Sequence, residues 1–211
     1  MSKEIILIGG GGHCKACIDV IETENKFKVA GIIDVKEKLG QKVLNYKVIG
    51  CDEDLSELVK NYRYFLITMG QIKNADRRKE IFQQLSELDT SFPVIVSPLA
   101  YVSQYAFINQ GTIIMHKAIV NADAKVGNNC IINTSALIEH DTNIGNHCHI
   151  STGAIVNGNS LIEDEVFIGS NAVIANNLTI AKNAIVGAGS VVVKSINQKG
   201  TYVGKPACRI N

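Results

Sequence analysis

Five histidines are the residues of this chain best suited to proton chemistry, and three of them fall within ten positions, in the run IEHDTNIGNHCHI. His140 stands there between Glu139 and Asp141. A carboxylate beside an imidazole fixes its tautomer and raises its basicity, which a general base near neutral pH requires. The same triplet also suits a corner histidine between two solvated acids. His116 and His147 read as solvated surface groups. A second cluster opens the chain, where Gly9-Gly10-Gly11-Gly12 precedes His13 and an acidic residue follows at Asp34. Backbone N–H groups of a glycine turn entering a helix can face phosphates, and a carboxylate such as Asp34 could accept hydrogen bonds from a ribose. Four glycines are equally a way to pass from strand to helix. Cys14 and Cys17 form a lone C-x-x-C with no second pair and no well-spaced histidine pair. They read as small residues on the first turns of a helix, and no metal site is expected.

The histidine cluster sits in a repeat. Read in sixes from Ala100 to Ser195, sixteen successive blocks carry Val or Ile in third place without an insertion, and fourteen begin with Ala, Thr, Cys or Ser. Neither an amphipathic helix nor an alternating strand has a strict period of six; a parallel β-helix of hexapeptide repeats does, each block forming one short face of a three-sided coil. The third residue then points inward, with the small first residue inward beside a corner. Cys130 and Cys148, eighteen apart at the same place of their blocks, should stack as reduced core neighbours about 4.8 Å apart. After Ile196 the rhythm stops, and Gly204-Lys205-Pro206-Ala207 reads as an extended cap over the last coil in a locally basic tail.

The glycine turn sits in a different pattern. Strand Lys3–Ile8, helix His13–Thr23 and strand Val29–Asp34 make a Rossmann-like βαβ opening. The dinucleotide fingerprint is incomplete, because its third glycine would fall at Cys14. A helix over Asp52–Asn61, a strand over Tyr64–Met69, a loop at Gly70-Gln71, a helix over Ala75–Leu88 and a last strand over Phe92–Val96 complete a small parallel sheet of four or five strands. Gly9–His13, Asp34 and Gly70-Gln71 then all lie at carboxyl ends of strands, where open α/β sheets bind ligands. The expected organisation is an α/β Rossmann-like domain over 1–97 and a β-helix over 98–211.

Formal net charge is +1 with the charges dispersed, which argues against nucleic-acid and anionic-membrane partners. The first residues lack a signal-peptide h-region, and no apolar run approaches the roughly 20 residues of a membrane span. A cytoplasmic location without membrane insertion is expected. His140 and His149 are nine residues apart, half of an eighteen-residue coil. With each face roughly 15–20 Å wide, their outward side chains point away from each other. They cannot share a site within one chain but could in a rotationally symmetric oligomer, so a homotrimer with sites at its interfaces is expected.

The repeat, the segments INTSALIEHD and HISTGAIVNG and the VGKPA tail resemble the left-handed β-helix acyltransferases that use acetyl-CoA. The N-terminal βαβ domain narrows the likeness to the group of PglD sugar N-acetyltransferases and NeuD sialic acid O-acetyltransferases. The resemblance implies a left-handed coil and a co-substrate, acetyl-CoA, with no metal. It implies His140 as the general base, with Asp141 increasing its basicity where PglD has Glu. It places His149, Gly158, Ser170 and Ala188 along acetyl-CoA, with the Gly158 N–H facing the acyl carbonyl as an oxyanion donor. It places Asn133 just before the catalytic segment, and Gly11, Gly12, His13, Asp34 and Gly70 around the nucleotide of the sugar substrate. The implied reaction is direct attack of a nucleotide-linked amino-sugar, a UDP- or GDP-4-amino-4,6-dideoxyhexose, on acetyl-CoA. The product would feed a bacterial surface glycan or nonulosonic acid. O-acetylation of a sialic acid and a non-catalytic trimeric scaffold are the alternatives.

Overall fold

Hexapeptide pattern and helix–strand alternation separate in space as they do in sequence. The computed structural model describes residues 3–210. Its N-terminal part runs β1 (Lys3–Ile8), α1 (Gly12–Glu24), β2 (Phe27–Ile33), β3 (Lys42–Val43), β4 (Tyr46–Gly50), α2 (Leu55–Leu58), β5 (Tyr64–Ile67), α3 (Asp76–Ser86) and β6 (Ile95–Val96). The sheet order is β3-β4-β2-β1-β5. Strand β1 lies parallel between β2 and β5, and β4 is parallel to β2. The carboxyl ends of β1, β2 and β5 therefore open on one edge, with the glycine turn among them.

Two features differ from expectation. The β3–β4 antiparallel hairpin was not anticipated, because its turn is made by Leu44 in the left-handed region (φ 53°) rather than by glycine. The stretch Phe92–Val96 is not the sheet's last strand. A single bridge joins Tyr64 to Ser91, Pro93 then has no N–H to continue the ladder, and β6 pairs instead with Ile113–Ile114 of the first coil.

From Tyr101 onward, two-residue strands recur every six residues and pair in parallel with strands eighteen residues away. Three faces result. One runs through Ile113–Ile114, Ile131–Ile132, His149–Ile150, Phe167–Ile168 and Ile185–Val186; a second through Leu137–Ile138; a third through Asn143–Ile144. The repeat has a physical cause at each place. Third-place residues such as Ile132, Ile138, Ile150 and Val156 are fully buried in one continuous core. Every sixth place from Gly111 to Gly189 has positive φ, a region in which Asn, Asp and Gly cost least, and these types fill most of the corners. The first place is small and often polar because it reaches a corner carbonyl fifteen residues on. Thr112 donates to Gly127 O (2.8 Å), Cys130 to Gly145 O (3.1 Å), Cys148 to Glu163 O (3.1 Å) and Ser160 to Ala175 O (3.1 Å). Cys130 and Cys148 are buried free thiols stacked as expected.

The first face is covered by the N-terminal domain, so its outward residues Ile113 and Ile131 join the core beneath α1 with Ile18 and Ile21. The tail closes the last coil as a hairpin of Thr201–Gly204 and Ala207–Arg209, whose first strand extends the same face. No helix among the described residues is long and apolar enough to cross a membrane.

Coil stacking leaves no room at certain corners. A Cβ on Gly145 would stand 2.7 Å from the backbone nitrogen of Asp164 and 2.8 Å from the carbonyl carbon of Glu163. Gly145→Ala should therefore destabilise the protein by about 1–3 kcal/mol through overpacking, read as a drop of several degrees in Tm by calorimetry. An unchanged Tm would show that adjacent coils can separate at little cost.

Candidate active site

The docked face and the α/β domain enclose a cavity of about 810 Å³ lined by the Gly9–His13 turn, Asp34, Lys38, Gly70 and Gln71 on one side and Asn133, Thr134, His149 and Thr152 on the other. Gly9 has φ 101°, and a Cβ there would lie 2.2 Å from Met69 Cγ, so only glycine makes this turn. Gly11 caps α1, and both Gly11 and Gly12 face open space. The free N–H groups of the first helical turn give that end of the cavity a preference for anions.

Asp34 is committed at one oxygen. Its Oδ2 accepts from Gly10 N–H (2.8 Å) and Lys38 Nζ (2.9 Å), while Oδ1 accepts from Val35 N–H (2.7 Å) and retains acceptor capacity for a ligand. Against the opposing effect of burial, the hydrogen bonds from Lys38, Val35 and Gly10 hold its carboxyl below the usual carboxylate range.

His149 points outward from its coil but is buried by the docked domain. Its Nδ1 faces the Gln71 carbonyl at 2.8 Å, which can only accept, so Nδ1 carries the proton. Nε2 then accepts from Asn133 Nδ2 at 3.1 Å, and the Asn133 amide is oriented by the Thr134 N–H donating to its Oδ1 at 2.8 Å. Burial, together with the Arg78 cation, pushes the His149 pKa down to about 4, and burial, the neighbouring His149 and Arg78 push that of His13 down to about 3. Neither imidazole is a base at neutral pH. Both are polar walls.

His140 has the opposite environment. It lies at the corner between the second and third faces, opposite the docked face, with its side chain 60% exposed. Of the two flanking carboxylates, Asp141 is the partner: His140 Nδ1–H donates to Asp141 Oδ2 at 2.7 Å. Glu139 Oε2 instead accepts from Asn121 Nδ2 at 2.9 Å and from the His140 backbone at 3.2 Å. The Asp141 hydrogen bond raises the His140 pKa above its ordinary value and leaves Nε2 as the free lone pair. One coil on, Gly158 makes room for this ring, since a Cβ there would stand 2.7 Å from His140 Cε1 and 2.9 Å from Nε2.

The structure thus brings Gly11, Gly12, His13, Asp34, Gly70, Asn133 and His149 around one cavity and sets His140, Asp141 and Gly158 apart from it. Ser170 and Ala188 continue the corner of Thr134 and Thr152 at successive eighteen-residue steps; Ser170 Oγ lies 3.0 Å from Ser151 Oγ, and Ala188 is exposed. Thr134 and Thr152 were missed by sequence reasoning, although that same period would have found them. His116 and His147 are not solvated groups. His116 bridges Asp19 of α1 (Nε2–Oδ2 2.7 Å) and Ser97 (Nδ1–Oγ 2.6 Å), and His147 packs edge-on to Phe82 of α3 and contacts Asn129. Both join the two domains. Among the described residues no group of three or more His, Cys, Asp or Glu gathers as a metal-ligand set.

A neutral His13 and His149 make folding pH-dependent. Their folded pKa values lie below the unfolded value of about 6.5, so the unfolded chain takes up protons first as pH falls. Their contribution to stability is complete above pH 6.5 and is lost progressively below it. Tm should fall between pH 7 and pH 5, and His149→Asn should flatten that slope; equal slopes would mean that His149 titrates in the fold as it does in the unfolded chain.

Residues 4–85 match the family model described as the PglD N-terminal domain, and residues 159–194 match the bacterial transferase hexapeptide, a set of six repeats. The chain is 34% identical over 115 residues to UDP-N-acetylbacillosamine N-acetyltransferase of Bacillus subtilis (strain 168); the match spans 54% of this chain and only 51% of that protein. The crystal structure of PerB from Caulobacter crescentus in complex with CoA and GDP-perosamine superposes with a TM-score of 0.92 at 28% identity, covering 99% of this chain and 97% of that one. The acetyltransferase domain of PglB from Neisseria gonorrhoeae FA1090 in complex with acetyl coenzyme A gives a TM-score of 0.90 at 29% identity, covering 100% of both chains.

Proposed function

We infer, from a chain that belongs to the PglD-type hexapeptide-repeat sugar N-acetyltransferases, that it transfers the acetyl group of acetyl-CoA to the amino group of a nucleotide-linked amino-sugar. The observation that carries this reading is the cavity itself: an anion-accepting glycine turn on one wall and a neutral, hydrogen-bonding β-helix wall opposite. A nucleotide-sugar has that polarity, with an anionic diphosphate beside the nucleoside and a hydroxyl-bearing hexose beyond it. We take the sugar to be a UDP- or GDP-4-amino-4,6-dideoxyhexose destined for a surface glycan or nonulosonic acid. The relatives whose structures hold CoA with GDP-perosamine, or acetyl coenzyme A, support the two-substrate reading.

Acetyl-CoA supplies the activated thioester. The amine forms a bond to the acyl carbon, the carbon–sulfur bond breaks, and the amine proton passes to His140 Nε2 and on to the leaving thiolate. Asp141 holds the His140 tautomer and its raised basicity through the 2.7 Å hydrogen bond. Asn133 lines the sugar end; His149, Gly158, Ser170 and Ala188 are assigned to acetyl-CoA, Gly158 with its N–H toward the developing oxyanion.

Because His140 stands on the far corner from the cavity of its own chain, the reading requires a neighbouring subunit. The second face fits that role. Its outward column of Tyr101, Ile119, Leu137, Ile155, Val173 and Val191 is apolar from end to end, whereas the third face carries Lys125, Asn143 and Thr179 among its outward residues. We place a homotrimer on this face, with one subunit's His140 completing the cavity of the next. The free cysteines and the use of acetyl-CoA suit a cytoplasmic enzyme.

His140→Asn should lower kcat about 10²–10⁴-fold while nucleotide-sugar binding by calorimetry is retained; near-normal kcat would remove His140 from the base role. In the wild type the acidic limb of the kcat profile should lie above pH 6.5, and Asp141→Asn should move it to lower pH while reducing kcat. Ile155→Arg should yield a monomer by light scattering with activity lost, and a fully active monomer would exclude shared sites.

A further inference from the structure

We propose that Gln71 reads the sugar: its side-chain amide oxygen accepts a hydrogen bond from a ring hydroxyl of the hexose bound in the cavity. The proposal rests on the nucleotide-sugar reading above and adds to it a specificity-determining residue. Gln71 is 2% exposed and lines the cavity, and its Oε1 has no hydrogen-bond partner among the described residues. Buried amide oxygens without a donor are rare in folded proteins, and one on a side chain that belongs to a cavity-lining residue points to a donor that arrives with a ligand.

The amide cannot satisfy itself by turning over. Its Nε2 donates to the Glu165 carbonyl at 3.4 Å; exchanging the two atoms would set oxygen against oxygen. Nor do the neighbouring donors serve it. Asn133 Nδ2 is directed to His149 Nε2, the Thr134 N–H to Asn133 Oδ1, and His149 Nδ1–H to the backbone carbonyl of Gln71 itself. The side-chain oxygen is the acceptor that this network leaves over.

The chemistry of the donor follows from position. Phosphates carry no donor at neutral pH and belong to the glycine turn, and Asp34 and Lys38 take the nucleoside end. Gln71 joins the β-helix wall through His149 and Glu165, so the part of the ligand beside it is the hexose. The reacting amine must face His140, which stands outside this wall. A ring hydroxyl remains.

The test is isothermal calorimetry on the intact chain with UDP, GDP, their 4-amino-4,6-dideoxyhexose conjugates and single-deoxy versions of those conjugates. Gln71→Met keeps the side-chain length and the backbone carbonyl that orients His149. It should weaken the preferred nucleotide-sugar about tenfold and leave the bare nucleotide within about twofold. One single-deoxy conjugate should lose about the same factor on the wild type and bind wild type and variant alike. Equal weakening of nucleotide and conjugate would mean that Gln71 only supports the cavity wall; no weakening of either would mean that water satisfies Oε1. Each overturns the proposal. If Gln71→Met does not fold, the wild type with the deoxy series decides alone, and uniform affinity across it overturns the proposal. A wild type that binds no nucleotide or conjugate would overturn the nucleotide-sugar reading, and this one with it.

Discussion

The eighteen-residue coil is the constraint on which the rest of the molecule depends. It closes because every sixth residue from Gly111 to Gly189 takes a positive φ, which turns the chain at each corner without interrupting the parallel ladders. Once the coil is closed, a residue's number determines its face. His149 must lie on the face that meets the α/β domain, and His140, half a coil earlier, must lie at the corner opposite. Gly158 must stand over His140, and it has to be glycine because the imidazole occupies the space a Cβ would take. The placement of chemistry on this protein is therefore a consequence of chain counting before it is one of side-chain packing.

That is why the β-helix was so legible. A period of six with inward Val or Ile has one structural solution, and it places Cys130 beside Cys148 and separates His140 from His149 without reference to any other part of the chain. The α/β domain lacks such redundancy. Its strands and helices were identified near their observed bounds, but the β3–β4 hairpin turns on Leu44, a residue with no turn propensity of its own, and β6 goes to the β-helix because Pro93 ends its approach to β5. What the sequence could not convey was the docking of the domains. His116 and His147 look like ordinary polar residues in isolation, and only the contact between the domains half-buries them and buries Gln71.

The domain junction is unusually polar for so buried a place. Arg78 of α3 inserts against the β-helix and donates from Nη2 to Asn129 O (2.5 Å) and Oδ1 (3.0 Å), and Asn129 returns a bond to the Arg78 carbonyl at 3.3 Å. Burial lowers the Arg78 pKa to about 10, which still leaves the guanidinium charged at neutral pH. Glu165 ties the same helix to the next coils through Lys79 (3.2 Å) and Lys182 (3.1 Å). Directional bonds of this kind fix register where apolar packing alone would tolerate sliding. The glycine turn is therefore held at a set distance from Asn133, His149 and Thr152, as a cavity that must fit one ligand requires.

The same junction divides the histidines by function. Desolvation first, with the Arg78 cation adding to it, holds His13 and His149 neutral, so the cavity offers hydrogen bonds of fixed direction and these two imidazoles add no charge near pH 7. The basic imidazole is kept where water and Asp141 can support its charged form, on a corner no part of its own chain covers. Were His140 buried in the cavity beside Arg78, desolvation and the cation would lower its pKa as they lower that of His149, and it would cease to be a useful base. On the proposed function, separating the recognising wall from the group that takes the proton resolves this conflict, and a second subunit would bring the two together.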